Sequence, residues 1–321
     1  MSNPFDFLKD LLLIKEDIQR LEERGQNGID VTREIASLRT KYAERSVSLF
    51  ADLTPWQRVQ LSRHPLRPQS SDYVDHMLEE FVPLAGDRRF ADDEAILTGI
   101  GRLGDQPVMI IGQQKGKDVH ERRRCNFGMP HPEGYRKAMA KMRIAEKFGL
   151  PIICLVNTPG AFPGVEAEER GQSIAIAENI RDMALVRVPI LVVVIGEGGS
   201  GGALGIGVGD RILMLQNSYF SVISPEGCAA ILWKDGAKRD LAAERLRLTG
   251  PELQKFGIVD EVIAEPAGGA HEQPLAMAEA LKATLIKHLG QIQKLTTDEM
   301  LEKRYQKYRA IGEVRMAAAA G

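Results

Sequence analysis

The sequence predicts an α/β fold of repeating ββα units, with a helical arm in front and further helices behind. Three observations point there. The apolar runs at 151–156 (PIICLV) and 189–195 (PILVVVI) are too short and too β-branched for helices, and read as buried strands. Each opens into a glycine-rich turn and then into helical spacing. The two units start roughly 40 residues apart, as a repeated strand–loop–helix architecture would. A chain of 321 residues that is 44% hydrophobic also has ample material for a core, and 27% charged residues suit a water-facing surface.

In chain order, residues 4–24 and 32–48 carry apolar positions at helical spacing with charges between them, separated by Gly25-Gln26-Asn27-Gly28. Residues 1–48 are therefore expected as a helical arm, an interaction element rather than a catalytic one. The proline-rich stretch 64–73 reads as a loop. Strands are expected at 95–103, 107–112, 151–156, 189–196, 211–216, 219–224 and 258–263, with helices at 135–148, 168–185 and 239–248. Residues 203–208 read as the first turns of a closely packed helix. Residues 275–289 and 298–309 are helical, and Ala317–Ala320 are expected as a disordered tail. The expected division is an arm (1–48), a central domain (49–290) and a C-terminal helix with tail (291–321).

The turn IGEGGSGGALG after the second run admits more than one chemistry. Gly196, Gly198, Gly199, Gly201 and Gly202 let backbone amides approach a ligand with no Cβ in the way. Gly196, Gly198 and Gly201 match GxGxxG, but no acidic residue follows where a ribose-binding strand tip would place one. Gly198, Ser200 and Gly202 match the GxSxG nucleophile elbow, with Asp210 or Asp235 and His271 or His288 as available partners. A third reading needs no side-chain nucleophile, because paired amides can hold a developing oxyanion. The turn NTPGAFPG at 157–164 favours that reading. It is a second glycine loop, stiffened by Pro159 and Pro163, and Glu166, Glu168 and Glu169 suit the first turn of the helix that follows.

The segments RRCNFGMPHPEGYRKAMAKMRIAEKFGLPI, NTPGAFPGVEAEERGQSIAIAENI, VIGEGGSGGALGIGVGD and SVISPEGCAAILWKD resemble the α subunits of bacterial acetyl-CoA carboxylase carboxyltransferases. So do FADLTPWQRVQLSRHPLRPQSSDYV and AGDRRFADDEAILTGI, and the similarity runs in order from about Leu49 to His288. LTGPELQKFGIVDEVI resembles the crotonase superfamily, which implies a crotonase-like ββα spiral. The resemblance implies transfer of a carboxyl group from carboxybiotin, carried on a biotin carboxyl carrier protein and loaded by a biotin carboxylase, to acetyl-CoA, forming malonyl-CoA. It implies a β subunit that supplies most of the acetyl-CoA side and a zinc ribbon, in an α2β2 assembly. Carried onto this chain, it places backbone donors at Gly199, Gly201, Gly202 and Ala203, with Gly160, Ala161, Phe162 and Gly164 on the neighbouring substrate-binding wall. Gly205, Gly207 and Gly209 read as packing glycines.

Other signals set limits. Gly112 to Asp118 falls one residue short of a phosphate loop and ends in Asp where Ser or Thr would bind magnesium. Ala140-Lys141-Met142 lacks the first methionine of a biotin-attachment tripeptide, so biotin is expected as a visiting group. A net charge of −2 argues against a generic nucleic-acid binder. The clusters Arg122-Arg123-Arg124 and Lys115 with Lys117 read as a solvated loop, or as a contact with CoA phosphates or a partner's acids. Cys125, Cys154 and Cys228 form no CxxC pair, the six histidines show no ligand spacing, and no metal is expected here. His131 reads as structural. With no signal peptide and no membrane-length apolar run, a cytoplasmic location is expected.

Overall fold

The computed structural model describes residues 4–312, so the expected tail Ala317–Ala320 lies outside the described residues. The arm is a hairpin of helices Lys9–Gln26 and Thr32–Ala51. Their antiparallel arrangement is pinned by ion pairs from Arg39 to Glu22 (2.8 Å) and from Arg45 to Asp10 (3.2 Å). Leu8, Leu11 and Phe50 bury the hairpin's open end against Leu53 and Leu61.

Among the described residues, eight strands form one sheet: β1 (Glu79–Pro83), β2 (Ile96–Leu103), β3 (Gln106–Gln113), β4 (Ile152–Thr158), β5 (Ile190–Gly199), β6 (Arg211–Leu215), β7 (Tyr219–Ser221) and β8 (Glu261–Ile263). The order is β1-β2-β3-β4-β5-β6-β8, with β7 branching from β5. β1, β2 and β3 are antiparallel, and the pairs from β3 onward are parallel.

The central strands are covered on both faces, which is why they read as unbroken apolar runs. Ile152, Cys154, Val156, Ile190, Val192 and Val194 pack under helices Pro132–Phe148 and Gln172–Met183. The alternate residues Ile153, Leu155, Leu191, Val193 and Ile195 pack under helices Ser70–Met77 and Pro274–Ile292. Helix Pro132–Phe148 stops at Gly149, whose φ of +67° is the left-handed cap a Cβ disfavours.

The structure departs from the sequence expectations where tertiary pairing intervenes. β5 runs through the glycines to Gly199, because β7 and Thr158 of β4 supply it with ladder partners. The helix expected at 203–208 is instead a short helix, Ser200–Leu204. Beyond it the chain threads too tightly for side chains: a Cβ on Gly205 would lie 2.5 Å from the Tyr135 ring, and on Gly209 2.7 Å from the Ile190 carbonyl oxygen. Those glycines are packing glycines, as expected. The helix expected at 168–185 is broken at Gly171 (φ +82°) into Val165–Glu169 and Gln172–Met183. The expected loop 64–73 ends in a helix, Ser70–Met77, and β1 had no clear signal in the sequence.

Helix Thr297–Ala310 begins with a capping box between Thr296 and Glu299 and is anchored by a buried arginine. Arg304 is 1% exposed; it donates to both Asp210 carboxylate oxygens (2.9 and 2.7 Å) and to the carbonyls of Met183, Val186 and Val188. Asp210 and Val188 precede β6 and β5, so this helix closes the sheet edge opposite the glycine loops.

Candidate active site

The two glycine loops meet at the C-terminal ends of β4 and β5, the edge where open parallel sheets bind ligands. Their backbones touch. A Cβ on Gly202 would lie 2.4 Å from the Ala161 nitrogen and 2.4 Å from the Gly160 carbonyl carbon, and one on Gly199 would lie 2.2 Å from the Pro159 carbonyl oxygen. The missing side chains at these positions are thus required by the opposite loop. Gly201 differs: the nearest atom to its Cβ position is Ile176 Cγ2, at 3.9 Å.

Buried polar side chains hold this contact. Gln113 Nε2 donates to the Gly202 carbonyl (2.8 Å), while its Oε1 accepts from the Asn157 amide (3.0 Å), so one residue bridges both loops. Tyr135 OH also donates to the Gly202 carbonyl (3.1 Å). Asn157 Oδ1 accepts from the Glu197 amide (3.2 Å). Thr158 Oγ1 accepts from the Gly160 amide (3.1 Å), so that donor is already engaged. By contrast, the Ala161 amide has no acceptor among the described residues, and no acceptor outside its own helix meets the Gly201 or Gly202 amide. Ala203 is fully buried in the same short helix.

Of the remaining wall residues, Phe162 and Gly164 turn elsewhere. Phe162 stacks on His131 with ring centroids 4.2 Å apart, and Gly164 starts helix Val165–Glu169, packed between the Phe162 ring and Glu166. His131 is fixed at its amide by Asp93 (2.7 Å) and at its ring by Asn126 (2.8 Å).

Beneath the second loop lies a charged cluster that the sequence did not single out. Burial alone would push the Glu197 carboxyl upward, but Lys115 and Arg63 hold it down at about 2. Glu197 accepts from Arg63 Nε (2.6 Å) and Tyr219 OH (2.9 Å), and pairs with Lys115. Lys115 is therefore not a solvated lysine. The sequence signal available for Glu197 was a lone acid inside a glycine run.

The rival motifs lose their partners. Ser200 is exposed with φ +54°, the strained conformation an elbow nucleophile adopts. Among the described residues, however, no His or Asp bonds its hydroxyl. Asp210 is consumed by Arg304, His271 stacks on His64 (3.9 Å), His288 bonds Glu261 (2.9 Å), and Asp235 caps the turn at Ala237. Lys141 is buried and donates to the Ala85 and Gly86 carbonyls, so it is no attachment site. Among the described residues, no group of three or more His, Cys, Asp or Glu is placed to hold a metal, and no helix is long and apolar enough to cross a membrane.

Residues 4–312 match the family described as acetyl co-enzyme A carboxylase carboxyltransferase-like. The chain belongs to this family. It is 50% identical, over 97% of its length and 98% of the relative's, to the acetyl-coenzyme A carboxylase carboxyl transferase subunit alpha of Stenotrophomonas maltophilia. Among solved structures it resembles the transcarboxylase 12S core (TM-score 0.55, 17% identity, 79% of this chain and 44% of that one). It also resembles a chain of a Pseudomonas malonate decarboxylase hetero-tetramer (TM-score 0.56, 16% identity, 67% and 86%). The sheet with its branching β7 and covering helices is thus the crotonase-like fold of carboxyltransferases.

Proposed function

We propose that this chain is the α subunit of the carboxyltransferase component of acetyl-CoA carboxylase. With a β subunit it would move a carboxyl group from carboxybiotin, on the biotin carboxyl carrier protein, to acetyl-CoA, forming malonyl-CoA for fatty acid synthesis in the cytoplasm. The observation that carries this reading is the pair of abutting glycine loops with amides left to donate, in a chain similar to these α subunits along nearly its whole length.

Biotin is mostly apolar apart from its ureido group. An apolar pocket of about 360 Å³, lined by Leu204, Phe220, Val222 and Ile258, opens beside Ser200 and fits a group of that kind. When bound, carboxybiotin supplies the carboxyl group and a ureido oxygen that gains negative charge as the carboxyl group leaves. The Gly201 and Gly202 amides, with Gly199 and Ala203 shaping their turn and Gly160 and Ala161 buttressing it, would stabilise that charge without an ionisable side chain. Gln113, Tyr135 and Asn157 keep the donors in place beforehand, so little reorganisation accompanies the reaction. The β subunit would carry the zinc ribbon and most of the acetyl-CoA site in an α2β2 assembly, with biotin carboxylase reloading the carrier.

The test is reconstitution. The isolated chain is expected to make no malonyl-CoA from acetyl-CoA and free carboxybiotin, and adding a β subunit is expected to restore transfer. Full activity of the chain alone would overturn the split site.

A further inference from the structure

The helical arm does not close completely onto the body. Between them opens a crevice of about 220 Å³, whose apolar walls include Leu8, Leu11, Phe50 and Leu66. For scale, a cavity of about 150 Å³ with walls of this kind stays dry and takes up benzene. Walls with nothing against them forfeit dispersion contacts, so a ligand of matching shape gains what the arm leaves unmade. The crevice therefore has room for an aromatic ring and a small head group.

The polar residues of the crevice select the head group. Lys15 and Glu272 both line it and pair with each other, so no surplus charge is left there to attract an ion. His271 lines it too, with its side chain 4% exposed. The ring is neutral, because burial, then His64 and Arg67, push its imidazole down to about 3. Its Nδ1 is buried and has no hydrogen-bond partner among the described residues. A buried ring nitrogen in that state keeps its full desolvation penalty, which a ligand can relieve. Neutral imidazole nitrogen donates in one tautomer and accepts in the other, and a hydroxyl group satisfies either.

The residues behind the crevice lead to the glycine turn. Leu61 packs with Leu8, Leu11 and Phe50 of the arm, and the His64 ring stacks on His271 with centroids 3.9 Å apart. The same stretch braces the end of β5. The Ser62 carbonyl oxygen would lie 3.2 Å from a Cβ on Gly196, Arg67 Nε donates to the Ile195 carbonyl (2.7 Å), and Arg63 Nε donates to Glu197 (2.6 Å). Residues 61–67 thus have the arm on one side and the start of the glycine run on the other. We infer that the crevice is an effector site for a small neutral molecule with an apolar body and a hydroxyl head on His271, and that its occupancy is passed through residues 61–67 to the end of β5. That carboxyl transfer then changes rests on the proposed function; binding, and its effect on β5, do not.

The probes are benzyl alcohol and toluene, which share a ring and differ in the hydroxyl group, titrated into the full isolated chain by calorimetry. Benzyl alcohol is expected to bind saturably, with a Kd about tenfold higher in His271→Phe. Toluene is expected to bind the parent and His271→Phe alike. Leu11→Trp, which fills the crevice with its own side chain, is expected to bind neither probe. Absence of saturable benzyl alcohol binding to the parent would overturn the inference. So would an equal change for both probes in His271→Phe, which would take the hydroxyl off the imidazole. Hydrogen exchange reads the coupling. Benzyl alcohol is expected to slow amide exchange at residues 195–202 about fivefold or more in the parent, and to leave it unchanged in Leu11→Trp. Binding without that slowing would overturn the link to β5. In the assembled complex the same probe is expected to change kcat for malonyl-CoA formation. Slowed exchange with an unchanged kcat would count against the carboxyl-transfer reading of the turn and support the crevice.

Discussion

Replacing Gly202 with alanine would place a methyl carbon 2.4 Å from the Ala161 nitrogen and 2.4 Å from the Gly160 carbonyl carbon. Carbon contacts are comfortable near 3.5–4.0 Å, so the two loops would have to part by about 1 Å. Both contacts are backbone, and Gln113 and Tyr135 hold the Gly202 carbonyl from behind, so no flexible side chain can yield instead. Overpacking of this kind costs about 1–3 kcal/mol of stability. Displacing one oxyanion donor costs about 2.7–4 kcal/mol, so kcat should fall about 10²–10³-fold in Gly202→Ala. Gly201→Ala is the internal comparison, because its methyl would meet nothing closer than Ile176 at 3.9 Å and the amide remains. That variant should keep near-parental kcat and melting temperature. The assay is malonyl-CoA formation by the assembled complex at saturating substrates, with thermal unfolding of the same preparations. Parental kcat in Gly202→Ala would show that loop spacing does not set the amides. Equal losses in both variants would show that the ligand, not the opposite loop, excludes the side chain.

Three further outcomes are expected. Arg304→Ala would leave Asp210 buried without its partner, and should cost about 3–5 kcal/mol in urea unfolding; near-parental stability would show that the C-terminal helix is not held by this residue. Burial, then His64 and Arg67, push the His271 imidazole down to about 3. The unfolded chain takes up that proton near pH 6.5 and the folded chain only near 3, so stability should drain away as pH falls between those values, by at most about 1.4 kcal/mol per unit. His271→Phe should accordingly lose less stability between pH 7 and pH 5 than the parent, and an identical loss would assign the acid sensitivity to other groups. Ser200→Ala should retain turnover, and a fluorophosphonate probe should leave the parent unlabelled, since no base activates the hydroxyl; covalent labelling at Ser200 would revive the hydrolase reading.

Much of the scaffold was legible because β4 and β5 are buried on both faces. Burial on both faces forces every residue of such a strand to be apolar, and the runs PIICLV and PILVVVI carry that requirement openly. The paired glycine turns were legible for a related reason, since only glycine tolerates the backbone approach found at Gly199 and Gly202. The cluster around Glu197 was not. Its partners Arg63, Lys115, Tyr219 and Glu226 come from four separate stretches of chain, and an arginine destined for a buried carboxylate has the same letter as one destined for water. The same holds for Lys115 and Lys117, two apart in sequence, of which one is half-buried on Glu197 and the other lies exposed on Asp72.

Local chemistry therefore determined which segments become strands and where glycine must stand. What the letters could not express is how far β5 extends and which way each loop faces. Those follow from the partners that β7 and Thr158 offer to Glu197–Gly199, contacts between residues distant along the chain. Tertiary structure also decided which of Gly201 and Gly202 is crowded and which is open, because a Cβ clash exists only once two loops share the same few ångströms.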